Sequence, residues 1–123
     1  MNPRLLALAG LVSLTACAAA VDPEQARTCR RVLPTLVPAG ERVQVLRTAP
    51  AAQPRSVRID FAQERDGRAT TPRFAVCRFS EFGRADLAEV TSDRGAIGGA
   101  ALYLLKHYYL DTPDAARAEP GAG

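Results

Sequence analysis

The run Ser56-Val57-Arg58-Ile59-Asp60-Phe61-Ala62 constrains this chain more than any other segment. Val57, Ile59 and Phe61 fall at every second position, with Arg58 and Asp60 between them. Successive side chains of a strand leave opposite faces, so this pattern reads as a strand with one dry and one wet face. Two neighbours extend the reading. Residues 42–47 alternate less regularly. Residues 74–79 (Phe74-Ala75-Val76-Cys77-Arg78-Phe79) are apolar at both parities up to Arg78, which suits a central strand. The links are short: residues 48–55 carry Pro50 and Pro54, and residues 63–71 carry the hairpin pair Asp66-Gly67. Links of this length cannot hold a parallel crossover, so the three strands form an antiparallel meander. Such a sheet needs cover on one face only.

The cover comes from segments with helical spacing. Asp22-Pro23-Glu24-Gln25 opens a helix: Asp22 caps the free amides, Pro23 suits the first position, and Gln25 stands at the capping-box position. Ala26, Cys29 and Leu33 recur on one side, and Pro34 and Pro38 limit this helix to about three turns. A second helix is expected over 96–110, apolar nearly all round, with Ser92 or Asp93 as its cap. Residues 87–91 read as a further strand or a helical turn. The Ala-, Pro- and Gly-rich residues 112–123 read as a disordered tail. The expected architecture is α+β: a small antiparallel sheet of three to four strands, packed against an N-terminal and a C-terminal helix and stapled by one disulfide. The domain spans 22–111. A length of 123 residues allows one such domain. A formal charge of +3, with fifteen of sixteen basic residues Arg, is too small to mark a nucleic-acid binder.

The start of the chain has a different character. Arg4 precedes the apolar run 5–14, which is shorter than the roughly 20 residues a spanning helix needs. It ends at Leu14-Thr15-Ala16-Cys17. This resembles the lipobox of bacterial lipoproteins. The resemblance implies a signal peptide at 1–16, removed before Cys17, and a diacylglycerol with palmitate-type acyl chains on the Cys17 sulfur. Residues 17–21 then serve as a short tether to the membrane. Two or three acyl chains hold a protein stably where one does not. Ala18, rather than Asp, follows the cysteine, which in Gram-negative lipoproteins implies the outer membrane, facing the periplasm. The competing reading is an ordinary signal peptide cut after Ala16 or after one of Ala18 to Ala20. The resemblance covers this leader alone.

Lipidation at Cys17 removes one of three cysteines and leaves Cys29 and Cys77. Export places both where a disulfide persists. A bridge between them is expected; two buried thiols or a redox-active cysteine are the alternatives, although neither residue has a CxxC partner or an adjacent His.

Candidate chemistry is sparse. His107 is the only His, and no spacing supports a metal set or a catalytic triad around it. The segment 90–99 resembles a Gly-rich turn opening a helix but lacks the ending of a phosphate loop. Tyr103, Lys106, His107 and Tyr109 lie along the last helix and are the candidate partner-binding residues, with Tyr108 expected to point inward. Arg42, Arg47, Arg58, Arg73 and Arg78 form the alternative set, for an anionic envelope polymer such as lipopolysaccharide or cell-wall glycan. The expected function is that of a non-catalytic, cofactor-free, lipid-anchored accessory protein of the cell envelope that contacts another envelope protein. A small periplasmic enzyme is the third reading and would be built around His107.

Overall fold

The computed structural model describes residues 20–122. The leader and Cys17 lie outside them. The first element is helix α1 (Pro23–Val32), which continues into a tighter turn at Leu33–Leu36. The Asp22 carboxylate accepts from the backbone N–H of Glu24 (2.8 Å) and Gln25 (3.2 Å). Gln25 does not complete a capping box. Its side chain is buried and donates to the Arg84 carbonyl at 2.9 Å.

Six strands follow: β1 (Arg42–Pro50), β2 (Ser56–Arg65), β3 (Arg68–Ala69), β4 (Arg73–Phe79), β5 (Leu87–Ser92) and β6 (Gly95–Ile97). They form one antiparallel sheet in the order β1-β2-β4-β5-β6, with β3 also paired to β2. The meander is as expected; the count of six, rather than three to four, is a correction with two sources. The strand returning from the Asp66-Gly67 hairpin is broken at residues 70–72, where Pro72 has no N–H to donate. Gln63 there pairs instead with the Thr70 backbone and hydroxyl. The second source is the segment 92–95. Ser92 faces Gly95 across a two-residue turn, and its hydroxyl accepts from the Arg94 N–H at 3.1 Å. Ser and Asp before Gly suit a hairpin corner as well as a helix cap, and here the corner prevails. The helix expected from 96 therefore begins at Gly99.

Register sets the two faces. Val57, Ile59 and Phe61 lie opposite Cys77, Ala75 and Arg73 and are buried with them. Cys29, Val32 and Leu33 of α1 pack on this face, and Leu102, Leu105 and Leu110 from the C-terminal segment join the same core. Cys29 and Cys77, both fully buried, are disulfide-bonded with their Cα atoms 5.8 Å apart. The bridge ties α1 to β4, a central strand.

Helix α2 (Gly99–Leu105) runs into a wide turn at Lys106–Leu110, in which the Asp111 N–H reaches back five residues to the Lys106 carbonyl. Residues 113–118 are not a disordered tail. They form α3 (Pro113–Ala118), with Ala115 fully buried. Glu119 then pairs with Arg30 at 3.1 Å and Arg31 at 2.7 Å on α1. These partners lie some ninety residues earlier in the chain, beyond the reach of any local pattern.

The disulfide closes a 48-residue separation. Replacing both cysteines by Ala should lower stability by about 4 kcal/mol in the chain-entropy description. Urea unfolding of the oxidised parent and the double variant checks this, and coincident midpoints would contradict it.

Candidate functional site

Two surfaces concentrate the residues singled out from the sequence. The first is α2 with the turn that follows. Leu102, Leu105 and Leu110 point to the core. Leu105 and Leu110 are five apart, and the i→i+5 turn lets both reach it. The same phase carries Tyr109 inward, where its hydroxyl donates to the Arg31 carbonyl at 2.8 Å and burial raises its pKa. Tyr108 is thrown outward and is 73% exposed, which reverses the sequence expectation for it. A segment apolar all round contains no phase of its own, so only the packing could decide between the two tyrosines.

Tyr103 (58% exposed) and Leu104 (56%) complete the outer side. The His107 ring packs against Tyr103 at a tilt of 45°, with ring centroids 4.4 Å apart, and its Nδ1 lies 3.4 Å from Asp111. Lys106 is engaged elsewhere: its Nζ donates to Asp86 at 2.6 Å. Asp86 also accepts from the Ser80 hydroxyl. These two donors, Lys106 first, hold the Asp86 carboxyl below its ordinary range. Of the four candidate partner-binding residues, Tyr103 and His107 thus share an open surface. Lys106 and Tyr109 serve the fold, and Leu104 and Tyr108 take their places.

The second surface is the uncovered face of the sheet. Arg47 lies opposite Asp60, and Arg58 opposite Val76. Arg58 stacks over the Phe74 ring at 4.4 Å and pairs with Asp60 at 3.0 Å; Arg78 pairs with Glu89 at 3.3 Å. Arg58 and Arg78 line one open groove of about 690 Å³ with Ser56, Gln53, Glu89 and Thr91. Arg73 does not belong here. It lies on the inner face, its side chain 7% exposed, with Phe61 beneath its guanidinium. It donates to the Leu36 carbonyl (2.8 Å), Gln63 Oε1 (2.8 Å) and Asp93 (3.1 Å). One position decides this: Arg73 has the parity of Ala75 and Cys77, whereas Arg78 has that of Val76.

Among the described residues, no cluster of three or more His, Cys, Asp or Glu side chains has the geometry to hold a metal. No helix among them is long and apolar enough to cross a membrane. Sequence reasoning missed the loop 80–86, whose Phe82 is the most exposed large apolar residue among those described; a single aromatic among polar residues shows no periodicity. No protein family, no curated protein and no solved structure matches this chain.

The Arg73–Asp93 pair has a pH signature. The hydrogen bond from Arg73 holds the Asp93 carboxyl below its ordinary 3.8, outweighing the opposing effect of burial. Folding therefore favours the carboxylate. The stabilisation is complete above pH 3.8 and is lost as pH falls through the lower, folded-state value. Asp93→Asn should lower the urea midpoint at pH 7, and its gap from the parent should close below about pH 4. Arg73→Met, which also strands the Leu36 carbonyl and Gln63 Oε1, should cost about 3 kcal/mol at neutral pH. A gap for Asp93→Asn that persists unchanged at pH 3 would contradict the assignment.

Proposed function

We propose that this chain is a non-catalytic, lipid-anchored accessory protein of the bacterial cell envelope, held at Cys17 and docking another envelope protein on the outer side of α2. The observation that carries this reading is the two-sided apolar character of α2 and its following turn. Leu102, Leu105 and Leu110 serve the core, while Tyr103, Leu104 and Tyr108 stand in solvent. Aromatic residues gathered on an open surface are the composition of protein interfaces, where a rigid ring desolvates a large area at low entropic cost. The lipobox-like Leu14-Thr15-Ala16-Cys17 supports the anchor and the compartment. The same resemblance favours the outer membrane, with the domain facing the periplasm.

In cells grown on labelled palmitate, the full chain should take up label, and Cys17→Ser should take up none. A photoreactive amino acid at position 104 or 108 should then give one discrete adduct in membranes. Tyr103→Ser with Leu104→Ser should abolish the adduct formed from position 108 without moving the unfolding midpoint. A labelled chain that forms no adduct from either position would overturn the docking reading.

A second reading draws on the placement of Arg58 and Arg78 beside one groove of the open sheet face. Under it, an anionic envelope polymer binds there. Each guanidinium already has a carboxylate partner, Asp60 or Glu89, which an incoming anion must displace. This ranks it second. Retention on immobilised lipopolysaccharide should fall with rising salt and fall further in Arg58→Gln with Arg78→Gln. Salt-independent retention would refute it.

A further inference from the structure

The antiparallel register gives the domain two distinct ends. At one end β1 finishes, β2 starts, β4 finishes and β5 starts, as the pairs Pro50 with Val57, Ser56 with Arg78 and Phe79 with Leu87 show. The chain also enters at this end. Ala20, Val21 and Asp22 line a shallow depression with residues 50–57, and Arg84 Nε donates to Asp22 at 3.1 Å. Cys17 is three positions before Ala20. A fully extended backbone can separate the two Cα atoms by only about 11 Å.

Beside this entry point the loop 80–86 projects Phe82, 97% exposed. The loop is firmly held. Ser80 N–H donates to the Asp86 carbonyl at 2.8 Å, and Phe82 N–H donates to the Ser80 hydroxyl at 3.2 Å. From the neighbouring link, Arg55 donates to the carbonyls of Ser80 (2.8 Å) and Gly83 (2.5 Å). Arg55 has φ 55°, a region unfavourable for a residue with a Cβ, and these bonds hold it there. Lys106 secures Asp86 from the far side. A rigid loop therefore presents a bare phenyl ring at the end of the fold where the tether emerges. The adjoining residues Ala51, Ala52, Gln53 and Pro54 carry no charge.

From this juxtaposition we infer that Phe82 seats the domain on the phospholipid surface, its ring entering the headgroup boundary while the short tether holds that end of the sheet down. The inference rests on the anchor at Cys17 proposed above. Each polar headgroup layer is roughly 5–8 Å deep, comparable to the reach of the tether. Phe, with Trp and Leu, is among the side chains by which interfacial segments enter that boundary. Asp22, Glu24 and Glu81 at this end outnumber Arg55 and Arg84 by one, so the charge here does not call for anionic lipid and Phe82 supplies the apolar contact. Seated this way, the strands stand away from the bilayer, and the Asp66-Gly67 hairpin, about 30 Å off along the ten residues of β2, points into the aqueous phase.

The chain has no Trp, so Phe82→Trp installs a single reporter. The full-length lipidated variant is extracted from its host and reconstituted into phosphatidylcholine vesicles brominated high on the acyl chain. Arg65→Trp, at the far end of β2, is the comparison. Flotation is scored first. We expect both variants to float. In Phe82→Trp the indole emission should shift to shorter wavelength and be quenched severalfold by the brominated lipid. In Arg65→Trp the indole should remain open to aqueous iodide. Floating vesicles in which the two indoles are equally open to iodide, or are quenched alike by the lipid, overturn the seat and leave the anchor standing. A chain that does not float overturns both.

Discussion

The bridge between Cys29 and Cys77 organises this molecule. It joins the first helix to a strand that has neighbours on both sides, so a single covalent bond fixes the helix layer on the sheet at the centre of the core. Both half-cystines are fully buried among Val32, Leu33, Val57, Ile59 and Val90. Packing and cross-link thus act on the same contacts. A domain this small buries a modest fraction of its surface, and a staple worth several kcal/mol is a large share of its margin. The C-terminal turn and the segment after α3 are referred to α1 once it is fixed. The Tyr109 hydroxyl bonds its backbone, and Glu119 bonds its Arg30 and Arg31 side chains.

With one face of the sheet so covered, the other is left to polar residues, and the parity of each strand position decides its occupants. Arg73 and Arg78 are five residues apart on β4 and have opposite fates. Arg73 is buried against Phe61 and hydrogen-bonded three ways; Arg78 is solvated and paired with Glu89. A buried guanidinium is tolerable only with its donors satisfied, which is why Leu36, Gln63 and Asp93 converge on it. The inner Arg closes the far end of the core, and the outer Arg borders a groove.

The antiparallel register also gives the domain a direction. At one end Arg84 and Gln25 clasp the loop 80–86 to the entering chain, and Arg55 clasps the same loop to the link between β1 and β2. The end with the hairpin at Asp66-Gly67 lies a full strand length away. On the reading proposed here, the first end faces the bilayer, and the exposed aromatics of α2 and its following turn are offered to a protein partner. The division is one of chemistry: an isolated phenyl ring on a braced loop for lipid, and clustered tyrosines with Leu104 for protein.

By itself the sequence determined the meander, the first helix with its Asp22 cap, the hairpin at Asp66-Gly67 and the pairing of Cys29 with Cys77 as the expected bridge. These follow from local rules: alternation, capping, turn residues, and two cysteines on inward-facing positions. Only the tertiary structure decided the break at Pro72, the hairpin at 92–95, the outward turn of Tyr108, the burial of Arg73 and the docking of residues 113–119. At Pro72 and at 92–95 the local residues suit two conformations, and pairing within the sheet chooses between them; in the others a distant partner tips the balance: Arg31 for Tyr109 and Glu119, Leu36 and Asp93 for Arg73. Periodicity encodes how a segment folds on itself; which of its faces finds a neighbour depends on contacts that exist only once the sheet and α1 are joined.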